Sequence, residues 1–201
     1  DEVYTNLTGQ LGAALYKDTD DEKVQYLKGL KSYLENWLTP RSQEGEGVKV
    51  DYTGFHHNTY YPGYCFGAFR AVAEMVNYLS DTEFAISTAA FAVLKKTLLV
   101  ARITLSDDQI PNSLTGRHPF TNAAITNGLA DAGLATPIDT DLLKAYNKTT
   151  NGGNSNTSSY GQESSPNGFW QINFANLGVY RQADWVANIK GFNNYFWGAE
   201  I

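Results

Sequence analysis

The 201-residue sequence holds one cysteine, Cys65, and one methionine. A single thiol closes no disulfide within the chain and builds no cysteine-based zinc site. Only three histidines occur, at positions 56, 57 and 118, with no His-Glu-x-x-His pattern. A histidine-built metal centre is therefore not expected. Cations are outnumbered, 15 Lys and Arg against 21 Asp and Glu, for a net charge of −6. That balance supplies no overall positive field for nucleic acid or an anionic membrane surface. No apolar run is long enough to span a bilayer. The first residues carry no leader pattern, as in a mature chain from which a leader has been removed.

Aromatics are abundant instead: 13 Tyr, 10 Phe and 4 Trp make 13% of the residues. Ring faces of this kind stack on sugars, although filling a core is their commoner use. Trp37, Trp170, Trp185 and Trp197 are read as core residues, with Trp197 the best placed for a cleft. The hydrophobic fraction of 42% and charged fraction of 18% are those of a folded protein. The length allows one large domain, or one domain and part of another. Sequons at Asn6, Asn147 and Asn156 carry little weight in a chain rich in Asn and Thr.

Periodicity divides the chain. Apolar residues at three- and four-residue steps, Val24, Leu27, Leu30, Leu34 and Leu38, predict a helix over 20–38 capped by Asp20 and Asp21. A helix is expected earlier, over 3–17. Others are expected over 66–79 and 83–105, the latter capped by the Ser80-Asp81-Thr82 break, and shorter ones over 121–134 and 139–146. Residues 41–50 read as a polar connector. Residues 151–167 are a polar, low-complexity linker or mobile loop. Beyond them the period falls to two, predicting strands over 169–174, 177–181, 185–189 and 195–201, with 191–194 as a hairpin connection. So few strands need a partner layer. The expectation is a piece of a larger protein, with the remainder of the polypeptide missing.

Residues 51–64, Asp-Tyr-Thr-Gly-Phe-His-His-Asn-Thr-Tyr-Tyr-Pro-Gly-Tyr, fit neither period. They read as a site loop presenting an imidazole and a phenol, rather than as a core helix or strand. Taken singly, His57 is more often a loop histidine, Tyr64 a turn aromatic, and Arg117 a loop-fixing hydrogen bonder. The isolated Cys65 reads as a small buried filler.

Five blocks resemble one family. They are Gly-Phe-His-His-Asn-Thr-Tyr-Tyr-Pro-Gly-Tyr-Cys-Phe-Gly-Ala-Phe (54–69), Asp-Thr-Glu-Phe (81–84), Leu-Lys-Lys (94–96), Leu-Thr-Gly-Arg-His-Pro-Phe (114–120) and Phe-Trp-Gly-Ala-Glu-Ile (196–201). In order and spacing they resemble the chondroitin ABC lyases of polysaccharide lyase family 8. The resemblance implies a multidomain α+β chain, an incomplete α/α toroid of helical hairpins followed by the start of an antiparallel β-sandwich domain. Residues 1–150 would be the second half of the toroid, and 168–201 the truncated first strands. It also implies cleavage of uronic-acid polysaccharides by β-elimination, with His57, Tyr64, Arg117 and Glu200 as catalytic residues. His56, His118, Tyr61 and Trp197 are then candidates for substrate contact. One departure stands out: the family tends to have Arg immediately before the catalytic histidine, and here the residue is His56. That loss of a cation bears on preference for sulfated chains.

The chemistry needs a base at C5, an acid at the departing O4, and a donor or cation at the uronate carboxylate. Tyr64 can serve first as base and then as acid, with Arg117 favouring the charged phenolate. His57 can act as a second base or as a carboxylate donor. Glu200 can orient a histidine or arginine. No organic cofactor is required, and a divalent cation such as Ca2+ or Mg2+ is compatible with this chemistry. The expected partner is an anionic polysaccharide, and the expected location is extracytoplasmic, periplasmic or secreted. Two other functions compete: a non-catalytic glycan-binding protein on a lyase scaffold, and a glycoside hydrolase. The hydrolase needs two paired carboxylates, and Glu74, Asp81 and Glu83 show no pairing.

Overall fold

The computed structural model describes residues 2–116, 118 and 123–195. Helix α1 spans Glu2–Leu15 and α2 spans Asp20–Trp37. Thr19, rather than Asp20 or Asp21, caps α2. Its hydroxyl accepts the Glu22 N–H, and the Glu22 carboxylate reaches back to the Thr19 N–H at 3.2 Å. This reciprocal pair satisfies two amides that the helix leaves unpaired. The two aspartates lie in the first turn, where their charge meets the positive end of the helix. Leu27, Leu30 and Leu34 form the buried stripe.

Helix α3, Pro62–Leu79, begins at Pro62 rather than at residue 66. Proline suits a first helical position because its missing N–H has no partner to lose there. Phe69, Val72, Ala73, Val76 and Leu79 are all buried, on the face their spacing predicts. Helix α4, Thr88–Ile103, starts later than the expected residue 83 because Ser87 caps it, accepting the Ala90 N–H at 3.3 Å. Thr82 instead closes α3, its hydroxyl donating to the Leu79 carbonyl at 2.8 Å. Helices α5, Ile125–Leu134, and α6, Thr140–Thr149, complete the helical layer. α3 lies between α1 and α5, and α5 packs on α6. The residues after α6 fold back onto it. The buried Asn147 amide donates to the carbonyls of Thr157 and Gly161, both at 2.7 Å, and Glu163 pairs with Arg102 of α4.

Two antiparallel sheets accompany the helices. The smaller corrects the reading of 41–64 as connector and loop: β1 (Gly47–Val48), β2 (Gly54–His56) and β3 (Thr59–Tyr60) pair in the order β1-β2-β3. β2 is buried throughout and lies against α3. A Cβ on Gly54 would run into Phe69 and Cys65, so only glycine lets strand and helix meet this closely. Cys65 itself is free and buried, as its isolation suggested.

The second sheet is β4 (Gly168–Ile172), β5 (Leu177–Gln182) and β6 (Trp185–Lys190), also in sequence order. Its inner face contributes Ile172, Leu177 and Val179 to the same core as the helices. Its outer face carries Phe169, Tyr180, Trp185 and Ile189. Trp185 is 78% exposed, which corrects its reading as a core residue. Trp37 and Trp170 do pack against the core. The expected connection at 191–194 leads to no further strand among the described residues. The strand expected over 195–201 lies almost wholly outside them.

Polar ties fasten the sheet to the helices. Asp51 accepts the N–H groups of Phe174 and Ala175 at 2.8 and 3.2 Å. Arg181 donates to the carbonyls of Ile103 and Leu105 at the end of α4. Lys190 reaches the β3 hairpin, at Thr59 Oγ1 and the Tyr60 carbonyl.

Candidate active site

β2 and β3 are joined by a two-residue turn, His57-Asn58, with φ of 48° and 57°. Positive φ at both central residues is the type I′ geometry, whose twist matches that of the flanking strands. Asparagine and histidine visit this region more often than other side chains, but at a steric cost that glycine does not meet, so His57 sits under local backbone strain. Strain that persists at a loop tip must be held by its surroundings, and it points to function. Asn58 supplies one tie, accepting the Gly45 N–H through Oδ1 at 2.6 Å.

Tyr64 lies in the first turn of α3, immediately beyond the hairpin. The hairpin and the helix start bring four rings together, and His118 of a separate loop adds a fifth. His56 and His57 stack with centroids 3.8 Å apart. Tyr64 lies 4.9 Å from His56, 5.1 Å from Tyr61 and 6.0 Å from His118, centroid to centroid. Burial divides the group. His56 and Tyr61 are 6% and 1% exposed and form its back. Tyr64 is half-buried, while His57 and His118 are exposed. The mouth thus presents two imidazoles and a phenol, backed by two buried rings.

Of the residues expected at the site, His56, His57, Tyr61, Tyr64 and His118 converge. Arg117, Trp197 and Glu200 lie outside the described residues. Glu46 was not anticipated, because its polar, Gly-rich surroundings read only as a connector. Its Oε1 lies 3.1 Å from His56 Nδ1, an ion pair whenever the imidazole is protonated. Asn58 and Lys190 were also missed. An Asn between two short β-runs is the signal that could have revealed the turn.

Behind the site, burial controls the charges. It pushes the Cys65 thiol up to about 12. It raises the Tyr60 phenol as well, against the partial relief of its hydrogen bond with Thr104. Neither is a nucleophile at neutral pH. Burial also lowers Lys190 to about 8. A cavity of about 50 Å3 lies between Glu46, His56, Tyr64 and Phe69, large enough for water and too small for a sugar ring.

Glu46, His56 and His57 each offer a ligand atom, all within 4.8 Å of one another. Two imidazoles and a carboxylate suit a divalent ion. The imidazoles are stacked, however, at an interplanar angle of 27°. Their in-plane lone pairs then run side by side rather than converge, and the rings would have to fan apart to hold an ion.

Comparison with known proteins places the chain among lyases. The family model described as "Lyase, catalytic" matches residues 1–149. The full chain aligns at 33% identity with a chondroitin sulfate ABC exolyase of Proteus vulgaris and at 29% with the chondroitin sulfate ABC endolyase of the same organism. It aligns at 25% with a chondroitin sulfate ABC exolyase of Bacteroides thetaiotaomicron. The chain spans 21% of the length of each Proteus protein and 23% of the Bacteroides one. In fold it superposes on a Paenibacillus xanthan lyase with a TM-score of 0.67 at 11% identity, over 86% of this chain and 20% of that one.

Proposed function

The chain belongs to the catalytic lyase family, and on that premise we propose that the protein cleaves uronic-acid polysaccharides of the chondroitin and dermatan sulfate class, and hyaluronan, by β-elimination. The observation that carries this reading is the shared mouth of Tyr64 and His57, whose rings both lie against His56, at 4.9 and 3.8 Å, with His118 beside Tyr64. An acid–base pair for proton abstraction must stand on one surface, open to a long polymer, and this pair does.

In the proposed reaction the Tyr64 phenolate takes the C5 proton of the uronate. The electrons form the C4–C5 double bond as the C4–O4 bond breaks. Tyr64 then returns its proton to the departing oxygen. His57 donates to the uronate carboxylate, where charge builds in the transition state, or serves as base toward the opposite C5 epimer. Its place at the tip of a strained turn, exposed and one residue from the buried His56, suits either role. By resemblance, Arg117 neutralises the phenolate and Glu200 orients one of the cationic groups. No step draws on an organic cofactor, and the protein acts outside the cytoplasm.

The departure at His56 narrows the substrate reading. A buried imidazole beside Glu46 places less positive charge at the mouth than an arginine would. Weakly sulfated chains and hyaluronan should therefore lose less rate, relative to chondroitin sulfate, than in relatives with Arg at this position.

The test is to incubate the full-length protein with chondroitin sulfate, dermatan sulfate and hyaluronan and to follow the ultraviolet absorbance of the unsaturated product. Wild type should generate it, and Tyr64→Phe should lower kcat by about 10³-fold or more while still binding polymer. Binding without product by wild type would assign the scaffold to glycan recognition instead. Full rate in Tyr64→Phe would remove Tyr64 from the chemistry.

A further inference from the structure

Lys190 is the last residue of β6, and its side chain points away from the solvent face of the sheet. Nζ donates to Thr59 Oγ1 at 2.8 Å and to the Tyr60 carbonyl at 2.9 Å. It also lies 5.8 Å from the centre of the Tyr60 ring. Thr59 and Tyr60 are 1% and 2% exposed, so the ammonium of the half-buried Lys190 is held against a buried strand. These two residues form the strand that leaves the His57-Asn58 turn.

The turn is therefore gripped from two sides. The 41–48 segment holds it through Gly45 to Asn58 and through Glu46 to His56. The second sheet holds it through Lys190. Two consecutive non-glycine residues at positive φ relax unless the chain on both sides is fixed. Packing alone does not explain a lysine here. Its burial disfavours the charged form, and an apolar side chain would fill the space without that cost. The titratable groups facing Nζ are the Tyr60 phenol and the Cys65 thiol, both kept neutral by burial.

We infer that Lys190 is a positioning residue for the active site: through Thr59 and Tyr60 the β4–β6 sheet fixes the strained turn that aims His57 at the substrate. The inference rests on the lyase reading above. It makes turnover depend on a residue of the β-region that touches neither substrate nor either acid–base side chain.

The experiment uses the full-length enzyme and Lys190→Met. The expected result separates stability from function. The melting temperature stays within a few degrees of wild type, because relief of the half-buried charge offsets the loss of a donor to the Tyr60 carbonyl. kcat falls at least tenfold with KM within twofold. Amide exchange over residues 56–60, corrected for intrinsic rate, speeds up while α3 and α5 stay protected. Thr59→Val, which deletes one acceptor, should reproduce part of the loss in wild type and add nothing in the Lys190→Met background. Wild-type kcat and unchanged exchange at 56–60 in Lys190→Met would overturn the inference. So would a loss of activity that merely tracks the unfolded fraction. Should Lys190→Met not fold, Thr59→Val decides alone on exchange and kcat. Should wild type form no unsaturated product, the lyase reading fails, and the exchange measurement still judges the tether: unaltered protection at 56–60 sinks it.

Discussion

At the scale of single residues, the candidate site joins two opposing demands on His57. Its imidazole is wanted at the mouth, and its backbone lies where a side chain is disfavoured. His57→Gly should therefore raise stability by up to about 1 kcal/mol, since glycine accepts positive φ without steric cost. The same change should remove at least a hundredfold of kcat. Chemical denaturation and the rate of product formation check the two halves independently, and a stability loss with Gly would contradict the strain argument. Asp131 offers a pH-dependent counterpart away from the site. Burial, then the neighbouring Glu74 charge, raises its carboxyl to about 6, with Arg70 opposing. The folded pKa is raised, so the stabilising contribution is complete below the unfolded value of 3.8 and is lost as pH climbs through about 6. Asp131→Asn should then melt higher than wild type at pH 7.5, and the gap should close by pH 4. A melting difference independent of pH would place the effect elsewhere.

At the scale of elements, the join between α4 and the second sheet is built on backbone groups that a helix cannot satisfy by itself. The last carbonyls of a helix have no internal partner and carry partial negative charge. Arg181 of β5 donates to the Ile103 and Leu105 carbonyls, capping α4 from another element. Arg181→Met should cost about 1–3 kcal/mol, the penalty of leaving buried acceptors without a donor, and urea titration would measure it. Such contacts also explain which elements the sequence reveals. Helices α2 and α3 were legible because their apolar faces repeat at helical spacing, and strands β4 to β6 because theirs alternate. The hairpin of β2 and β3 was not. Both of its faces are buried, so Gly54, Phe55 and His56 show no alternation. Its turn uses His-Asn where Asn-Gly would have announced it. The start of α4 was misplaced because two potential caps, Thr82 and Ser87, stand five positions apart, and only packing decides between them. The site followed the same logic. His57, Tyr64 and His118 were candidates from chemistry and resemblance, and the fold places them close together. Glu46 and Lys190 reach the hairpin through tertiary contact alone, and nothing in their local sequence marks them.

At the scale of the whole molecule, the two faces of the second sheet differ in what they require. The inner face shares the helical core. The outer face exposes Phe169 at 65%, Trp185 at 78%, Ile189 at 78% and, just beyond β6, Phe192 at 79%. Phe169, Gly178, Ile189 and Phe192 line one shallow groove across that face. Large apolar side chains gathered on one surface are uncommon on an isolated soluble chain and drive association when left bare. Among the described residues β4 and β6 are the edge strands of this sheet, and edges offer backbone hydrogen-bonding groups. The 201-residue chain produced alone should therefore self-associate at micromolar concentration and bind a hydrophobic dye. Replacing Trp185 and Ile189 together by lysine should restore a monomer with unchanged far-ultraviolet circular dichroism, because neither side chain enters the core. Sedimentation velocity distinguishes the outcomes. A monomeric wild-type chain with no dye binding would mean that the outer face tolerates water as it stands. Association that persists in the double variant would move the sticky surface to the strand edges or the helical layer.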